Sequence, residues 1–335
     1  MGMVSRRGSI LIGVLWSLFF LSALAAAIYA RVAPQIDFVA KWKDRSRLYH
    51  LARAGVKRAM IELDKDETQD FDGLSDTWAN NEEAFKEAAL GEDGFFSVRY
   101  DVSDDDQEPQ ERYGLTDEER KINPNRASDA VLKHFFEIAG ETTSQQAGDI
   151  TDSILDWVDA DDEPRVNGAE KGYYEALEKG YPCKNKEFEM LEELLLVKGM
   201  TRGIFDKVKP DMSVHTDGTV NINTAGGLVL QGLGMSESLA EKIIHFREGN
   251  DGEEATEDDN VFDSTQNIAG ALTASESLSP EEIEQFNGVA GSGILSVRSQ
   301  HFRGESVGGL KDQQTRRRII FVADRQKQIK FWRED

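Results

Sequence analysis

The sequence predicts an α+β fold in which a long N-terminal helix packs on an antiparallel sheet and an all-helical domain is inserted between the strands. An uncharged apolar segment at residues 9–30 continues directly into a stretch with helical periodicity. Apolar and polar residues alternate at 94–102, and strand character returns at 294–303 and 318–332. The block between them, residues 122–235, has helical character. One sheet domain interrupted by a helical insertion explains this order better than two domains in series.

The first element is the apolar segment 9–30, which is long enough to cross a bilayer as a helix, since about 20 apolar residues suffice. Only eight residues precede it, and they end in a basic Arg-Arg-Gly run at 6–8. One interpretation is a short leader followed by a retained membrane anchor. The alternative is a secretory signal peptide cleaved near the Ala-Leu-Ala at 23–25. The retained anchor is favoured because signal peptides have shorter apolar cores.

The amphipathic continuation of this segment predicts that the helix extends well beyond the membrane. Apolar residues recur there at helical spacing, namely Tyr49, Ala52, Val56, Ala59 and Leu63. Pro34 is expected to kink the helix. The alternative is a membrane anchor followed by an independent soluble helix.

Charge and cysteine content limit the classes of function. The 335 residues carry a net charge of −23, although the first 58 residues are basic, so the remainder is strongly acidic. Such a surface repels nucleic-acid phosphates and suits divalent cations or basic partners. The single cysteine, Cys183, excludes an intramolecular disulfide and a Cys/His zinc motif.

Catalytic motifs are missing from the sequence. It contains no G-x-S-x-G, no H-E-x-x-H, no Walker loop and no dinucleotide-binding glycine pattern after a strand. Its five histidines are scattered along the chain. We therefore expect no catalytic residues.

A short internal repeat marks the helical block. Asn-Pro-Asn-Arg-Ala at 123–127 recurs, 98 residues later, as Asn-Ile-Asn-Thr-Ala at 221–225. We interpret both copies as helix starts, with Asn221, Asn223 and Thr224 capping the second. A glycine-containing hairpin at 232–235 and another helix follow, which is the layout of a helix-hairpin-helix module. Such modules bind DNA or serve as packing units, and the acidic charge favours packing.

An unusually acidic segment, DWVDADDEPRVNGAE, occupies residues 156–170. Its carboxylates repel one another unless a cation lies between them, and calcium prefers flexible loops rich in carboxylates. The spacing does not fit an EF-hand, so this would be an irregular site. The alternative is a solvated acidic turn with Trp157 buried and Asp156 as a cap.

Four stretches together resemble the K-type minor pseudopilins of bacterial type II secretion systems. They are the leader with its apolar helix, the segment from Asp156 to Tyr174, the run 191–200 with 220–225, and the region 299–302. The resemblance covers nearly the whole chain and weakens at two acidic inserts, 101–119 and 249–265.

This resemblance implies a pilin-like fold. The leader is residues 1–8, the transmembrane part of the helix is 9–30, and the first part of the pilin-like domain is 31–120. The inserted helical domain, with repeats like helix-hairpin-helix modules, is 121–246, and the second part of the pilin-like domain is 247–335.

The resemblance also implies processing and a position in the assembly. A prepilin peptidase would cut between Gly8 and Ser9, so Gly13 would be the fifth residue of the mature chain. Major pseudopilins carry at that position a glutamate that pairs with a neighbouring subunit. The protein would then be a non-enzymatic subunit that initiates and caps the pseudopilus tip, in the inner membrane with a large periplasmic domain.

Partners and the cation follow from the same resemblance. The expected partners are the I- and J-type minor pseudopilins, inner-membrane assembly proteins and the prepilin peptidase. Calcium is the expected ion, and Asp159, Asp161, Asp162 and Glu170 are the predicted ligands. The alternatives are a membrane-anchored, competence-type DNA-binding protein and a free-standing periplasmic calcium-binding protein.

Overall fold

The computed structural model describes residues 7–66, 68, 70–102 and 110–335. Residues 1–6 of the predicted leader and residues 103–109 of the first acidic insert therefore lie outside the described residues. For Gly8 and Ser9 the backbone alone is described, within a helix.

Helix α1 (Arg7–Asp64) is continuous and passes through Pro34, where we expected a kink. Its N-terminal part is long and apolar enough to cross a membrane, with a mean hydropathy of 2.3, and none of that stretch is buried in the protein. Its C-terminal part packs on the sheet through the predicted apolar stripe, in which Ala52, Val56, Ala59 and Leu63 are buried.

The main sheet is antiparallel and is assembled from strands on both sides of the helical domain. Its order is β1 (Ala88–Leu90), β2 (Gly94–Val102), β7 (His301–Leu310), β8 (Arg316–Asp324) and β9 (Ile329–Glu334). Short strands flank it: β3 (Gln110–Arg112) pairs with β2, and β4 (Thr116–Asp117) pairs with β7. A separate two-stranded parallel pair consists of β5 (Val220–Asn221) and β6 (Leu295–Ser296).

Two of the predicted strand regions are divided. The 294–303 region contains only β6 and the start of β7. The 318–332 region is a hairpin of β8 and β9, because the backbone turns between Asp324 and Gln328. Asp324 accepts the amide of Gln328 at 2.8 Å, and Lys327 adopts a left-handed conformation with φ 65°.

The helix and the sheet approach closely along β7. The hydroxyl of Ser306 donates to the backbone carbonyl of Ala52 at 2.7 Å. A side chain on Gly308 would overlap the carbonyl of Leu48 and the amide of Ala52. Glycine at this position therefore sets the distance between α1 and the sheet.

The helical domain has a hydrophobic core separate from the core under α1. Its helices are α3 (Asp129–Ile138), α4 (Ser144–Val158), α5 (Lys171–Glu175), α6 (Arg202–Val208), α7 (Gly227–Gly232), α8 (Glu237–Arg247), α9 (Ile268–Ser275) and α10 (Pro280–Gly291), with 3-10 turns at Leu191–Leu196 and Lys209–Asp211. A short helix α2 (Glu82–Phe85) belongs to the sheet domain.

This core continues well beyond residue 246, where we placed the end of the inserted domain. Phe262, Ile268, Leu272 and Phe286 are buried in the same cluster as Leu132. Residues 247–270 are acidic and rich in glycine, and the apolar positions are far apart in sequence. Their contribution to the core could therefore not be predicted from the sequence pattern. The helical domain thus extends to about Val297.

Candidate metal centre and the helical domain around it

The internal repeat forms two equivalent backbone clamps. Asn125 accepts the amide of Phe188 at 2.7 Å and donates to its carbonyl at 3.1 Å. Asn223 makes the same pair of bonds to Phe262, at 2.8 and 2.9 Å. The repeat therefore marks a structural duplication in which each copy ties a later phenylalanine segment to its hairpin.

The helix-start interpretation of the repeat is wrong in detail. Asn221 accepts the amide of Asn223 at 3.0 Å, a turn that precedes the helix. The N-cap of α7 is Gly226, and that of α3 is Ser128, whose hydroxyl accepts the amide of Val131. The asparagines are thus displaced from the caps because they hold distant segments.

Asn221 and Thr224 lie at a buried polar junction between the two domains. The side-chain amide of Asn221 donates to the carboxylate of Asp117 at 3.2 Å and to the hydroxyl of Ser299 at 2.8 Å. Thr224 also donates to Asp117, and Ser299 donates to it at 2.6 Å. The two segments of chain that connect the sheet domain with the helical domain therefore meet at the carboxylate of Asp117.

The acidic segment places three carboxylates together. One oxygen from each of Asp156, Asp159 and Glu170 lies within 4.8 Å of the others. Asp156 lies in the last turn of α4 and is fully buried, whereas Glu170 is 4% exposed and directly precedes α5. The structure thus brings together two of the predicted ligands, Asp159 and Glu170, and adds Asp156.

Asp156 also holds the acidic loop in shape. Its carboxylate accepts the amide of Arg165 at 3.1 Å, and the guanidinium of Arg165 lies 3.5 Å away. A side chain on Gly168 would collide with this carboxylate, so glycine is required there. Asp156 was not among the predicted ligands and appeared only as a cap in the alternative of a solvated turn; its position on the buried face of α4 was the missed signal.

Unpaired oxygens distinguish this cluster. Among the described residues, no N–H or O–H group donates to either oxygen of Glu170 or to Oδ1 of Asp159. Burial raises the pKa of Asp156 and Asp159, and burial together with the neighbouring Asp156 raises the pKa of Glu170 to about 7. A cation would relieve this repulsion and satisfy the oxygens.

The other two predicted ligands lie outside the cluster. Asp161 and Asp162 are exposed. Asp161 accepts the amide of Glu163 at 2.9 Å, and Asp162 accepts the side-chain amide of Asn185 at 3.1 Å. They shape the loop and tie it to the segment around residue 185.

Aromatic side chains support the carboxylate cluster from the core side. Trp157 is buried and makes an edge contact with Tyr174, with ring centroids 5.1 Å apart. It stacks on the clamped Phe188 at 6.3 Å. The carboxylate cluster therefore lies on a rigid, apolar base.

A second carboxylate group, Asp66, Asp72 and Asp76, lies near the end of α1. Arg325 forms ion pairs with Asp66 and Asp72. Asp76 accepts the indole N–H of Trp78 at 3.1 Å. This group already has cationic and polar partners and is a structural ion-pair network.

The hairpin amides are engaged within the protein. After Gly234, which has a left-handed φ of 103°, the amide of Ser236 donates to the side chain of Gln285 at 3.1 Å. The amide of Gly234 itself donates to the carbonyl of Gln231 at 2.8 Å. Helix-hairpin-helix proteins offer such amides to phosphates, so this arrangement supports packing over DNA binding.

Comparison with known proteins gives consistent matches. Residues 114–217 match the family profile described as type II secretion system (T2SS), protein K. Type II secretion system protein K of Klebsiella pneumoniae is 27% identical over 65% of this chain and 66% of its own length. The protein K of Pseudomonas aeruginosa is 26% identical over 62% of this chain and 60% of its length. The alignments thus span slightly less than two thirds of these relatives.

The fold matches a solved structure. One chain in the crystal structure of the GspK–GspI–GspJ complex from the enterotoxigenic Escherichia coli type 2 secretion system superimposes with a TM-score of 0.62. That match covers 89% of this chain and 99% of the other, at 16% sequence identity. The long helix, antiparallel sheet and additional helices are therefore a shared fold. By its family profile, its curated relatives and its fold, the chain resembles the type II secretion system protein K family.

Proposed function

We propose that this protein is a non-enzymatic minor pseudopilin that initiates and caps the type II secretion pseudopilus. It is anchored in the bacterial inner membrane by α1 and exposes the sheet and the helical domain to the periplasm. A prepilin peptidase removes residues 1–8, so that the mature chain begins at Ser9.

The observation that carries this proposal is the dual role of α1. Its apolar part, including Leu18 and Phe20, is exposed along its length and suits lipid or neighbouring helices. The same helix then becomes the central packing element of the sheet domain. Anchor and fold are therefore one rigid element, which is what a subunit of a helical fibre requires.

The end position is supported by Gly13. A side chain at that position would meet nothing within 4 Å in the protein. Other pseudopilins carry there a glutamate that pairs with the next subunit, and a carboxylate in hydrocarbon persists only with a partner. A subunit with glycine there suits an end of the fibre.

I- and J-type minor pseudopilins are the proposed partners, as in the complex named for the matched structure. Inner-membrane assembly proteins and the prepilin peptidase are also proposed as partners.

We also propose that Asp156, Asp159 and Glu170 bind a divalent cation, with calcium as the expected ion. The cluster provides hard carboxylate oxygens, and among the described residues both oxygens of Glu170 and Oδ1 of Asp159 receive no hydrogen-bond donor. The ion would fix the 156–170 loop on the aromatic base under it. Its role would be structural, holding the helical domain in one shape.

Deletion of the gene tests the main proposal. Secreted proteins should accumulate in the periplasm, and the full chain should restore export. A variant without residues 9–30 should be produced and fail to restore it. Normal export in the deletion strain would contradict the proposal. N-terminal sequencing of the mature protein tests processing: a start at Ser9 is expected, and a start after Ala25 or Ala30 would refute it.

A further inference from the structure

The face of α1 that points away from the sheet carries a line of basic side chains beyond the membrane segment. Lys43, His50 and Lys57 are exposed and follow one another at intervals of seven residues. Seven residues are about two turns, so these side chains lie on one face of the helix, roughly 10 Å apart along its axis. Arg53 is exposed one turn before Lys57 and widens the same face. These four residues are the basic line of α1, and the buried stripe from Ala52 to Leu63 lies on the opposite side.

The cations of this line are not neutralised within the described part of the chain. None of the ion pairs between described residues includes Lys43, Arg53 or Lys57. Between residues 39 and 61, α1 contains a single acidic residue, Asp44, whose carboxylate accepts a side-chain amide from the turn between β7 and β8 at 2.8 Å. The protein as a whole has a net charge of −23, so this face attracts acidic groups that the rest of the surface repels.

Exposed apolar side chains stand at both ends of the basic line. Val39 is 61% exposed and precedes Lys43 by four residues. Ile61 is 49% exposed and follows Lys57 by four residues. Residues four apart are neighbours on a helix surface, so both apolar side chains continue the same face. Exposed apolar side chains aligned with unpaired cations are typical of a surface that another protein covers.

Anionic lipid headgroups do not account for this face. The apolar segment ends at residue 30. Since a helix rises about 1.5 Å per residue, Lys43 lies about 20 Å and Lys57 about 40 Å beyond that point along α1. Attraction to a charged membrane surface is screened within about 10 Å. Nucleic acid also fits poorly, because the strongly acidic remainder of the chain repels its phosphates.

We propose that the basic line of α1 is a docking face for a helix of a neighbouring minor pseudopilin that carries Asp or Glu at matching seven-residue intervals. This inference rests on the proposed function, because it names the chemistry by which the subunit selects its neighbour. Apolar contacts at Val39 and Ile61 would hold the two helices together. Ion pairs with Lys43, Arg53 and Lys57 would fix the register of the helices and exclude basic partners.

Capture of full-length I- and J-type pseudopilins by the full-length protein in detergent tests the proposal. Capture of at least one of them should weaken as the salt concentration rises from about 0.05 to about 0.5 M, because screening shortens the range of the ion pairs. Arg53→Glu combined with Lys57→Glu should weaken capture at low salt at least about tenfold, since like charges then face each other.

A matched control separates this face from a general effect of charge. Lys179→Glu combined with Arg298→Glu changes the net charge equally at two exposed positions on other elements, and it should leave capture unchanged. Arg53→Gln combined with Lys57→Gln keeps the test valid if the charge reversal disturbs the fold. This milder pair should weaken capture less than the reversal does, with an unchanged melting temperature.

Carbodiimide coupling identifies the groups in contact. The reagent joins a lysine ammonium to an adjacent carboxylate as an amide, and it takes up the water that is lost. Mass spectrometry of the captured complex should find Lys43 or Lys57 joined to an Asp or Glu of the partner, and Lys57→Gln should remove the product at that position.

The outcomes distinguish the docking face from the proposed function. Capture that is indifferent to the reversal of Arg53 and Lys57, capture that the control pair weakens equally, or a complex without the coupled product would overturn the docking face and leave the role in the pseudopilus intact. Binding of a DNA fragment that the same reversal abolishes would assign the face to nucleic acid and also overturn the proposal. Absence of any capture by the unaltered protein would contradict both the docking face and the proposed partners.

Discussion

The side-chain amide of Asn223 clamps the backbone of Phe262, accepting its N–H at 2.8 Å and donating to its carbonyl at 2.9 Å. The segment held in this way lies 39 residues further along the chain. Asn125 holds Phe188 in the same manner. Both phenylalanines are buried against an aromatic ring at the end of the second helix of a hairpin, Phe246 in one copy and Trp157 in the other.

Asn223→Ala should destabilise the protein by about 2–6 kcal/mol, because it leaves a buried N–H and a buried C=O of Phe262 unpaired, at about 1–3 kcal/mol each. Chemical denaturation of the full chain measures this. Asn260→Ala is the matched control, since Asn260 is exposed and its side-chain amide donates to the carbonyl of Phe246. Its cost should stay within about 0.5 kcal/mol. Equal losses of unfolding free energy in the two variants would show that the clamp contributes no more to stability than one exposed hydrogen bond.

Gly308→Ala should be strongly destabilising because the added methyl would overlap the backbone of Leu48 and Ala52 in α1. We expect a loss of more than about 2 kcal/mol, in the range of overpacking and backbone displacement. Gly288→Ala is the control: it lies within α10, where an added methyl meets nothing within 4 Å. That change should stabilise by up to about 1 kcal/mol. Thermal melting of both variants checks the contrast, and a neutral Gly308→Ala would contradict the close helix–sheet contact.

Stability should fall as the pH rises from about 4 to about 7, in part through Asp117. Burial, with the nearby charge of Glu119, raises the pKa of Asp117 to about 7 from an ordinary value of 3.8. A raised carboxyl pKa means that the folded state favours the protonated form, so its stabilisation is complete below the ordinary pKa and is lost as the pH rises through the folded value. The ion pair of His301 with Glu119 raises the histidine pKa and acts in the same direction.

Asp117→Asn should reduce this slope, because the titrating group is gone. Unfolding free energies measured at several pH values between 4 and 8 give the slope directly. Asp312→Asn, at an exposed position, should leave it unchanged. A wild-type slope retained in Asp117→Asn would rule out this carboxyl as its source.

Calcium should raise the melting temperature of the full-length protein. Binding to the folded state adds about 2.7 kcal/mol at a concentration one hundred times Kd. Glu170→Gln and Asp156→Asn should each remove most of this gain. Asp162→Asn should retain it, because Asp162 is exposed and paired with Asn185. A melting temperature indifferent to calcium and to chelator would refute a calcium site, and loss of the gain in Asp162→Asn alone would place the site elsewhere in the loop.

The sequence was sufficient to predict the fold class because its strongest signals are local. The apolar segment, the stripe from Ala52 to Leu63 and the alternation at 94–102 each depend on neighbouring residues, and β2 has the predicted bounds Gly94–Val102. The extent of the helical domain was harder. Phe262 and Phe286 belong to its core through contacts that residue periodicity does not reveal.

The candidate site was predictable as a region but not as a geometry. Carboxylate density identified the 156–170 loop, and Asp159 and Glu170 do converge there. Whether Asp161 and Asp162 bind an ion stays a prediction, although the fold directs them toward the segment of Asn185.

The position of this subunit in the pseudopilus tests the central proposal most directly. Pseudopili from cells that overproduce the major subunit can be labelled with gold-conjugated antibodies against the helical domain. We predict label at one end of each filament and none along its length. Label distributed along the shafts would contradict a capping subunit and the interpretation of Gly13.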